Sequence, residues 1–438
     1  GGMGRGTGGM GRATPGPEGP GLRTWGGLPA GLASCFLLLA SCPSSAQSLS
    51  QKGFVELRGT GYARETPTDT KRAVGEVLFR YEASARPASW LTFGGAAEFR
   101  GDTHEQTADD WSPDWEDRGV QRPRLSIRRL GATFTRGPVT LDVGKQFIRW
   151  GKADVLNPTD RFAPRDYLNV TNSEFLAVTG ARAVVGLQSD SLDVVFVPRF
   201  TPSRAPLATQ RWAAGADLPA NVTVIDAGRF FPDGSQYGAR WNHVGPGFEF
   251  SLSGYRGFNH TPSIESLATI QIYPPIVAFA QFYPRIWMVG GDAALPLAHF
   301  TLKGEAAYFG TDDTRVDEYW VYVIQVERQA GEWFFVGGYA GEVVTNNRQA
   351  LAFAPERGLT KAFLGRAGYT IDTNRSIAFE GAVRQNLDGN WIRAEFSQAS
   401  GQHLRITVQG SWIRGGADDF LGRYRRNSHV TASLRYSF

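Results

Sequence analysis

From residue 53 to residue 438 the chain repeats one pattern: about ten residues, apolar and polar by turns, followed by a turn or a loop. Leu91, Phe93, Ala97 and Phe99 alternate with Thr92, Glu98 and Arg100, and Leu404, Ile406, Val408 and Trp412 with Arg405, Thr407 and Gln409. Period two is the spacing of a β-strand, whose successive side chains point to opposite faces. Eighteen segments can be marked: 53–63, 73–84, 89–100, 122–135, 138–149, 174–187, 190–200, 235–244, 247–258, 285–295, 299–310, 318–328, 331–344, 359–371, 375–386, 390–398, 402–414 and 427–438. The number falls to sixteen if two strands have been split.

The connections alternate as well. Even-numbered ones are short (85–88, 136–137, 188–189, 245–246, 296–298, 329–330, 372–374, 399–401). Odd-numbered ones are mostly long (64–72, 101–121, 150–173, 201–234, 259–284, 311–317, 345–358, 387–389, 415–426). A water-soluble β protein has no reason to sort loop lengths by parity. A membrane barrel does, with short periplasmic turns and long external loops. The expected fold is therefore all-β, a transmembrane antiparallel up-and-down β-barrel. A mean hydropathy of −0.27 excludes a helical membrane bundle but suits alternating strands. Inward faces carry Arg58, Arg80, Arg240 and Lys303 against Glu56, Glu98, Asp193 and Glu305, which suits pairing along the wall of a water-filled lumen.

Residues 1–46 read as an upstream extension and a signal peptide, leaving 47–438 as one barrel domain. Leu28 to Ala40 is the apolar core, and small residues prepare cleavage after Ala46. Both cysteines, Cys35 and Cys42, fall in this leader, so the mature chain has no disulfide or thiolate metal site. Leu39-Ala40-Ser41-Cys42 also resembles a lipobox, the alternative to cleavage after Ala46. The net charge of +4 loses +2 with the leader (Arg5, Arg12 and Arg23 against Glu18), and the remaining +2 gives no argument for nucleic acid.

The last segment runs N-S-H-V-T-A-S-L-R-Y-S-F, with Val430, Ala432, Leu434, Tyr436 and Phe438 on one face. A terminal strand with outward aromatics and a final Phe resembles the C-terminal assembly signal of Gram-negative outer-membrane barrels. The resemblance implies Tyr436 and Phe438 as the signal, the barrel assembly machinery as a partner, and outer-membrane lipids and lipopolysaccharide as surroundings.

Gly144 to Tyr167 reads G-K-Q-F-I-R-W-G-K-A-D-V-L-N-P-T-D-R-F-A-P-R-D-Y. It resembles a segment of poorly characterised outer-membrane barrel families in which G-[KR]-Q runs into W-G, then N-P and an acid. Gly144, Lys145, Gln146, Trp150, Gly151, Asn157, Pro158 and Asp160 carry the match, which implies fold and location. The residues themselves say more. Pro158 and Pro164 fix φ, and basic and acidic side chains alternate, which suits a rigid loop. By count it is the third external loop, the one that in general porins folds into the lumen, and by that resemblance it is expected to do the same. Lys152, Asp154, Asp160, Arg161, Arg165 and Asp166 would form the pore constriction, with Trp150, Gly151, Asn157 and Pro158 shaping its path.

The six histidines are well spread, and neither G-x-S-x-G nor H-E-x-x-H occurs. The expected function is a porin-like outer-membrane channel for passive diffusion of small hydrophilic solutes, without enzymatic activity, cofactor or metal. A lipid-hydrolase barrel and a structural or surface-binding barrel are the alternatives. Deleting Phe438 should lower the amount of assembled barrel, read as heat-modifiable protein in outer-membrane fractions, with synthesis unchanged. Equal assembly would remove the terminal-signal reading.

Overall fold

The structure, a computed structural model, describes residues 48–154, 156–213, 223–270, 276–348 and 354–438. The expected leader, with Cys35, Cys42 and the cleavage site after Ala46, lies outside the described residues. Eighteen strands form the barrel wall. They are β1 Ser48–Tyr62, β2 Ala73–Ala88, β3 Leu91–Asp102, β4 Leu125–Arg136, β5 Val139–Gln146 and β6 Val178–Leu187. Next come β7 Asp190–Val197, β8 Gln236–Gly245, β9 Phe248–Phe258, β10 Arg285–Pro296, β11 Thr301–Gly310 and β12 Glu318–Ala330. The last are β13 Trp333–Asn346, β14 Ala362–Asp372, β15 Arg375–Arg384, β16 Asn390–Ser400, β17 Leu404–Arg414 and β18 His429–Ser437. Each pairs antiparallel with the next, and β18 returns to β1 in a register running from Phe54–Ser437 to Tyr62–His429. The barrel is thus closed with eighteen strands, not sixteen.

Outward side chains such as Leu57, Phe79, Phe196, Trp287, Phe363 and Trp412 are 37–57% exposed. A band of this kind is unfavourable in water, at about 25 cal/mol per Å², and is what a bilayer takes up. The seam is finished on both faces. Inside, Arg435 Nε donates to Glu56 Oε2 at 2.7 Å. Outside, the Phe438 ring lies over Gly53, where a Cβ would come within 2.6 Å of it, and stacks on Phe79 at 6.4 Å.

Several strand ends differ from the expected bounds, among them β1, which starts at Ser48 and not 53, β4, at Leu125 and not 122, and β14, at Ala362 and not 359; three others share one cause. β5 stops at Gln146 where 149 was expected, β6 starts at Val178 instead of 174, and β7 stops at Val197 instead of 200. In each case the chain leaves the wall and turns inward, burying Ile148, Trp150 and Phe200 to 1–2% exposure. A three-stranded sheet, Thr223–Phe230, Ile276–Phe282 and Ser263–Ile270 in that order, joins two loops in which no strand was expected. Its runs V-T-V-I and I-V-A-F-A carried a readable β signal.

Gly144 has φ +128°, and a Cβ there would meet Leu130 O at 2.3 Å and Gly131 Cα at 2.6 Å. Only glycine lets β4 and β5 approach this closely. Gly144→Ala should cost about 1–3 kcal/mol and lower the heat-modification midpoint. Gly186→Ala, whose Cβ would meet nothing nearer than Pro138 O at 3.9 Å, should leave the midpoint in place.

Candidate functional site: the lumen and its inward loops

The loop 147–177 begins with a closed turn. Asp160 accepts the backbone N–H groups of Trp150 and Gly151, and Asn157 Nδ2 donates to Ala153 O. A Cβ on Gly151 would lie 2.5 Å from Asn157 Cβ, so the turn closes only around glycine. Pro158 is buried beneath it. Trp150, Gly151, Asn157 and Pro158 therefore act together in one turn.

That turn is fastened to inward residues of six consecutive strands. Trp150 Nε1 donates to Asp193 Oδ2 on β7 at 3.0 Å, and Arg240 on β8 donates to Trp150 O. Lys152 Nζ pairs with Glu249 on β9 at 3.1 Å and Asp292 on β10 at 3.4 Å. Asp154 N donates to Gln325 Oε1 on β12 at 3.0 Å. The densest contact is Glu305 on β11. Its Oε2 accepts Lys152 N at 3.0 Å and Ala153 N at 3.1 Å, while its Oε1 accepts Thr159 N at 2.8 Å and Thr159 Oγ1 at 2.9 Å. Hydrogen bonds to a charged acceptor are worth about 1.5–3 kcal/mol each. The wall is notched to receive the loop: a Cβ on Gly238 would meet Trp150 Cη2 at 2.8 Å, and one on Gly290 would meet Thr159 Cγ2 at 3.1 Å.

The second half of the loop joins an ion network. Arg165–Asp166 pairs as a short ladder with Glu174–Phe175. Asp166, 3% exposed, accepts from Arg122 at 3.0 and 3.1 Å and from Arg204 at 3.2 Å. Arg204 also reaches Asp117 at 2.7 Å, and Asp117 accepts from Lys145 at 2.6 Å. The long connection 101–121 thus sends Asp117 into the interior. Glu174 pairs with Arg100 at 2.7 Å. Burial opposes ionisation of all three carboxyls, but the guanidiniums around Asp166 and Glu174, and Arg204 with Lys145 at Asp117, outweigh it and hold them below the ordinary carboxylate range.

The next loop, leaving β7, reaches the seam between β1 and β18. Arg204 holds its middle. Gln210 Nε2 donates to His104 O at 2.6 Å, and the Arg211 guanidinium stacks 3.7 Å from the Tyr62 ring centroid while donating to Arg64 O and Lys71 O. Trp212 lies against Tyr424 and His429 at 5.6 and 6.1 Å. This segment runs as a strap across the ring.

A cavity of about 340 Å³ remains between the loop 147–177 and the facing wall. Asp154, Asp160, Arg161 and Arg165 line it; Lys152 and Asp166 do not, being turned to the wall and to the ion network. Glu380, Trp391 and Arg393 face them from β15 and β16. Burial pushes His260, another lining residue, down to about 4, so it is neutral at pH 7. A second space of about 410 Å³ is lined by Arg58, Arg80, Arg128, Arg149 and Arg435 with Glu174. Sequence reasoning placed Glu305, Asp193 and Arg240 on inward faces without their role as loop anchors. It missed Arg204, Arg211 and Trp212, which no short motif marks.

No protein family model matches the chain, and no curated protein matches it in sequence. Solved structures match in fold. The chain is similar to Pseudomonas aeruginosa OccK3 (OpdO) at 12% identity and a TM-score of 0.50, over 89% of this chain and 96% of that one. It is similar to a BenF-like porin from Pseudomonas fluorescens Pf-5 at 10% identity and a TM-score of 0.51, over 89% and 98%. Likeness at such identities establishes a shared barrel fold.

The lowered carboxyls fix the sign of one pH response. Their stabilisation is complete above the ordinary carboxylate range and is lost only as pH falls through their lowered folded-state values. Amide exchange protection of 160–176 should therefore persist at acid pH where free carboxylates have already protonated. Arg122→Ala should shift its loss to higher pH. Loss at the same pH in both proteins would sever the link between the ion network and the loop.

Proposed function

We propose that this chain is an outer-membrane channel through which small hydrophilic solutes diffuse passively, with the loop 147–177 as its constriction. The observation that carries the reading is the fastening of this loop to six neighbouring strands, above all by four hydrogen bonds to Glu305. An eighteen-strand barrel is too wide for its own side chains to fill. A folded loop held against one side narrows it without sealing it, and the 340 Å³ cavity is the space left. Asp154, Asp160, Arg161 and Arg165 line that space in this reading, while Lys152 and Asp166 hold the loop. Trp150, Gly151, Asn157 and Pro158 form the turn that sets the loop's course.

The charges around the opening suit polar solutes. Arg149, Arg161, Arg165 and Arg393 balance Asp154, Asp160, Glu356 and Glu380, four against four. The adjoining space is cationic, with five arginines against Glu174. A narrow aqueous passage strengthens such fields relative to open solvent.

Planar-bilayer recording tests this. Glu305→Ala, or a short Gly-Ser linker in place of 152–166, should raise single-channel conductance. Asp154→Asn, whose side chain is 44% exposed, should shift selectivity toward anions with conductance little changed. Conductance unaltered by both loop changes would mean that the constriction lies elsewhere.

A further inference from the structure

The outer face of the barrel seam changes character near its external end. On the lipid side of β1, Leu57 is followed by Gly59 and Gly61. In register beside Gly59 stand Gly75 on β2 and Ala432 on β18; beside Gly61 stand Ala73 and Val430. A Cβ on Gly59 or Gly61 would meet nothing within 4 Å. The neighbouring wall is covered by large side chains, with Phe79, Leu434 and Tyr436 all exposed. Here the side-chain layer thins to Gly59, Gly61, Gly75, Ala73 and Ala432, bounded by the exposed Val430, and leaves a shallow recess.

Directly above this recess the rim is basic. Loop 63–72 leaves β1 and returns to β2, and loop 415–428 enters β18. The two are joined by Ala63 N donating to Ser428 O at 3.0 Å and by Arg426 Nη1 donating to Glu65 O at 3.5 Å. Arg64, Lys71, Arg72, Arg423 and Arg426 are all exposed. Lys71 pairs with Glu105 at 3.5 Å. Among the described residues the four arginines make no ion pair; Arg72 and Arg426 only donate to backbone carbonyls. Exposed guanidiniums without carboxylate partners at a membrane rim are suited to phosphate, which they bind through two parallel N–H donors.

We infer that the β18–β1–β2 face seats a phosphorylated glycolipid of the outer leaflet, its acyl chains in the glycine recess and its phosphates on Arg64, Arg72, Arg423 and Arg426. The inference rests on the outer-membrane placement proposed above. Two independent features meet here: a recess that lipid chains fill without disturbing side chains, and a cation cluster on the two loops that continue its strands. A second copy of the chain fits the recess less well, because symmetric apposition would bring two unpaired basic patches together.

Native mass spectrometry of the detergent-purified barrel tests the seat. The probes are a bis-phosphorylated lipid A-type glycolipid, the same lipid without phosphates, and inorganic phosphate. The wild-type protein should retain the phosphorylated lipid most tightly. A cation near an anionic lipid surface is worth about fivefold in binding. Arg64→Ser with Arg72→Ser and Arg426→Ser should therefore weaken binding about a hundredfold. Gly59→Leu with Gly61→Leu should weaken it with the charges intact. Both variants should remain heat-modifiable and keep wild-type conductance, since neither set lines the lumen. Undiminished binding in the arginine variant would overturn the proposal. So would full competition by inorganic phosphate, or Gly61→Cys crosslinking that shows a second copy on this face. Absent conductance with lipid retention intact would instead count against the channel reading alone.

Discussion

In hydrocarbon every backbone N–H and C=O must find a partner within the protein, and this structure follows from closing the ring under that constraint. β18 meets β1 over the register Phe54–Ser437 to Tyr62–His429, leaving no edge open within it. Each face of the seam adds its own contact: the Glu56–Arg435 pair inside and Phe438 over Gly53 outside. Closure with this many strands has a cost of its own. The lumen becomes too wide for wall side chains to fill, so whatever narrows it must come from the connections.

A loop brought inside then faces the same problem as the wall, because its peptide groups leave bulk water. Here one wall carboxylate and one of the loop's own solve it. Glu305 and Asp160 between them accept five backbone N–H groups and one hydroxyl. A buried carboxylate is unfavourable unless its lone pairs are occupied, and a loop N–H is unfavourable unless accepted; each group removes the other's penalty. The glycines at 238 and 290 add the space in which this exchange takes place.

The wall was legible because period two is a local property. Each of the eighteen alternating segments has its strand, and even the short external connection 385–389 kept its place in the parity. Strand ends were less legible: at β5 and β7, Ile148 and Phe200 carry the apolar pattern past the point where the chain leaves the wall. The turn from Trp150 to Asp160 was legible as a unit, since proline, glycine and Asn-Pro punctuate it. Its anchors were not. Glu305 stands about 150 residues away, at separations of 146 to 153 along the chain, and nothing in its own neighbourhood distinguishes it from other inward acids. Arg204, Arg211 and Trp212 lie in a stretch whose partners are set only once the ring exists.

The strap that ends at Arg211 and Trp212 bears on the order in which the molecule matures. It bridges to Arg64 across 147 residues and to Asn427 across 216. The site that receives it is built from the first and last strands, so it does not exist until the ring has closed. Contacts of such long range form late, because the entropy of the intervening chain must be lost first. A newly closed ring therefore still has this strap undocked, and the strap takes its place across the lumen only afterwards. In a channel of the kind proposed, the opening would thus depend on time since closure as well as on the final geometry.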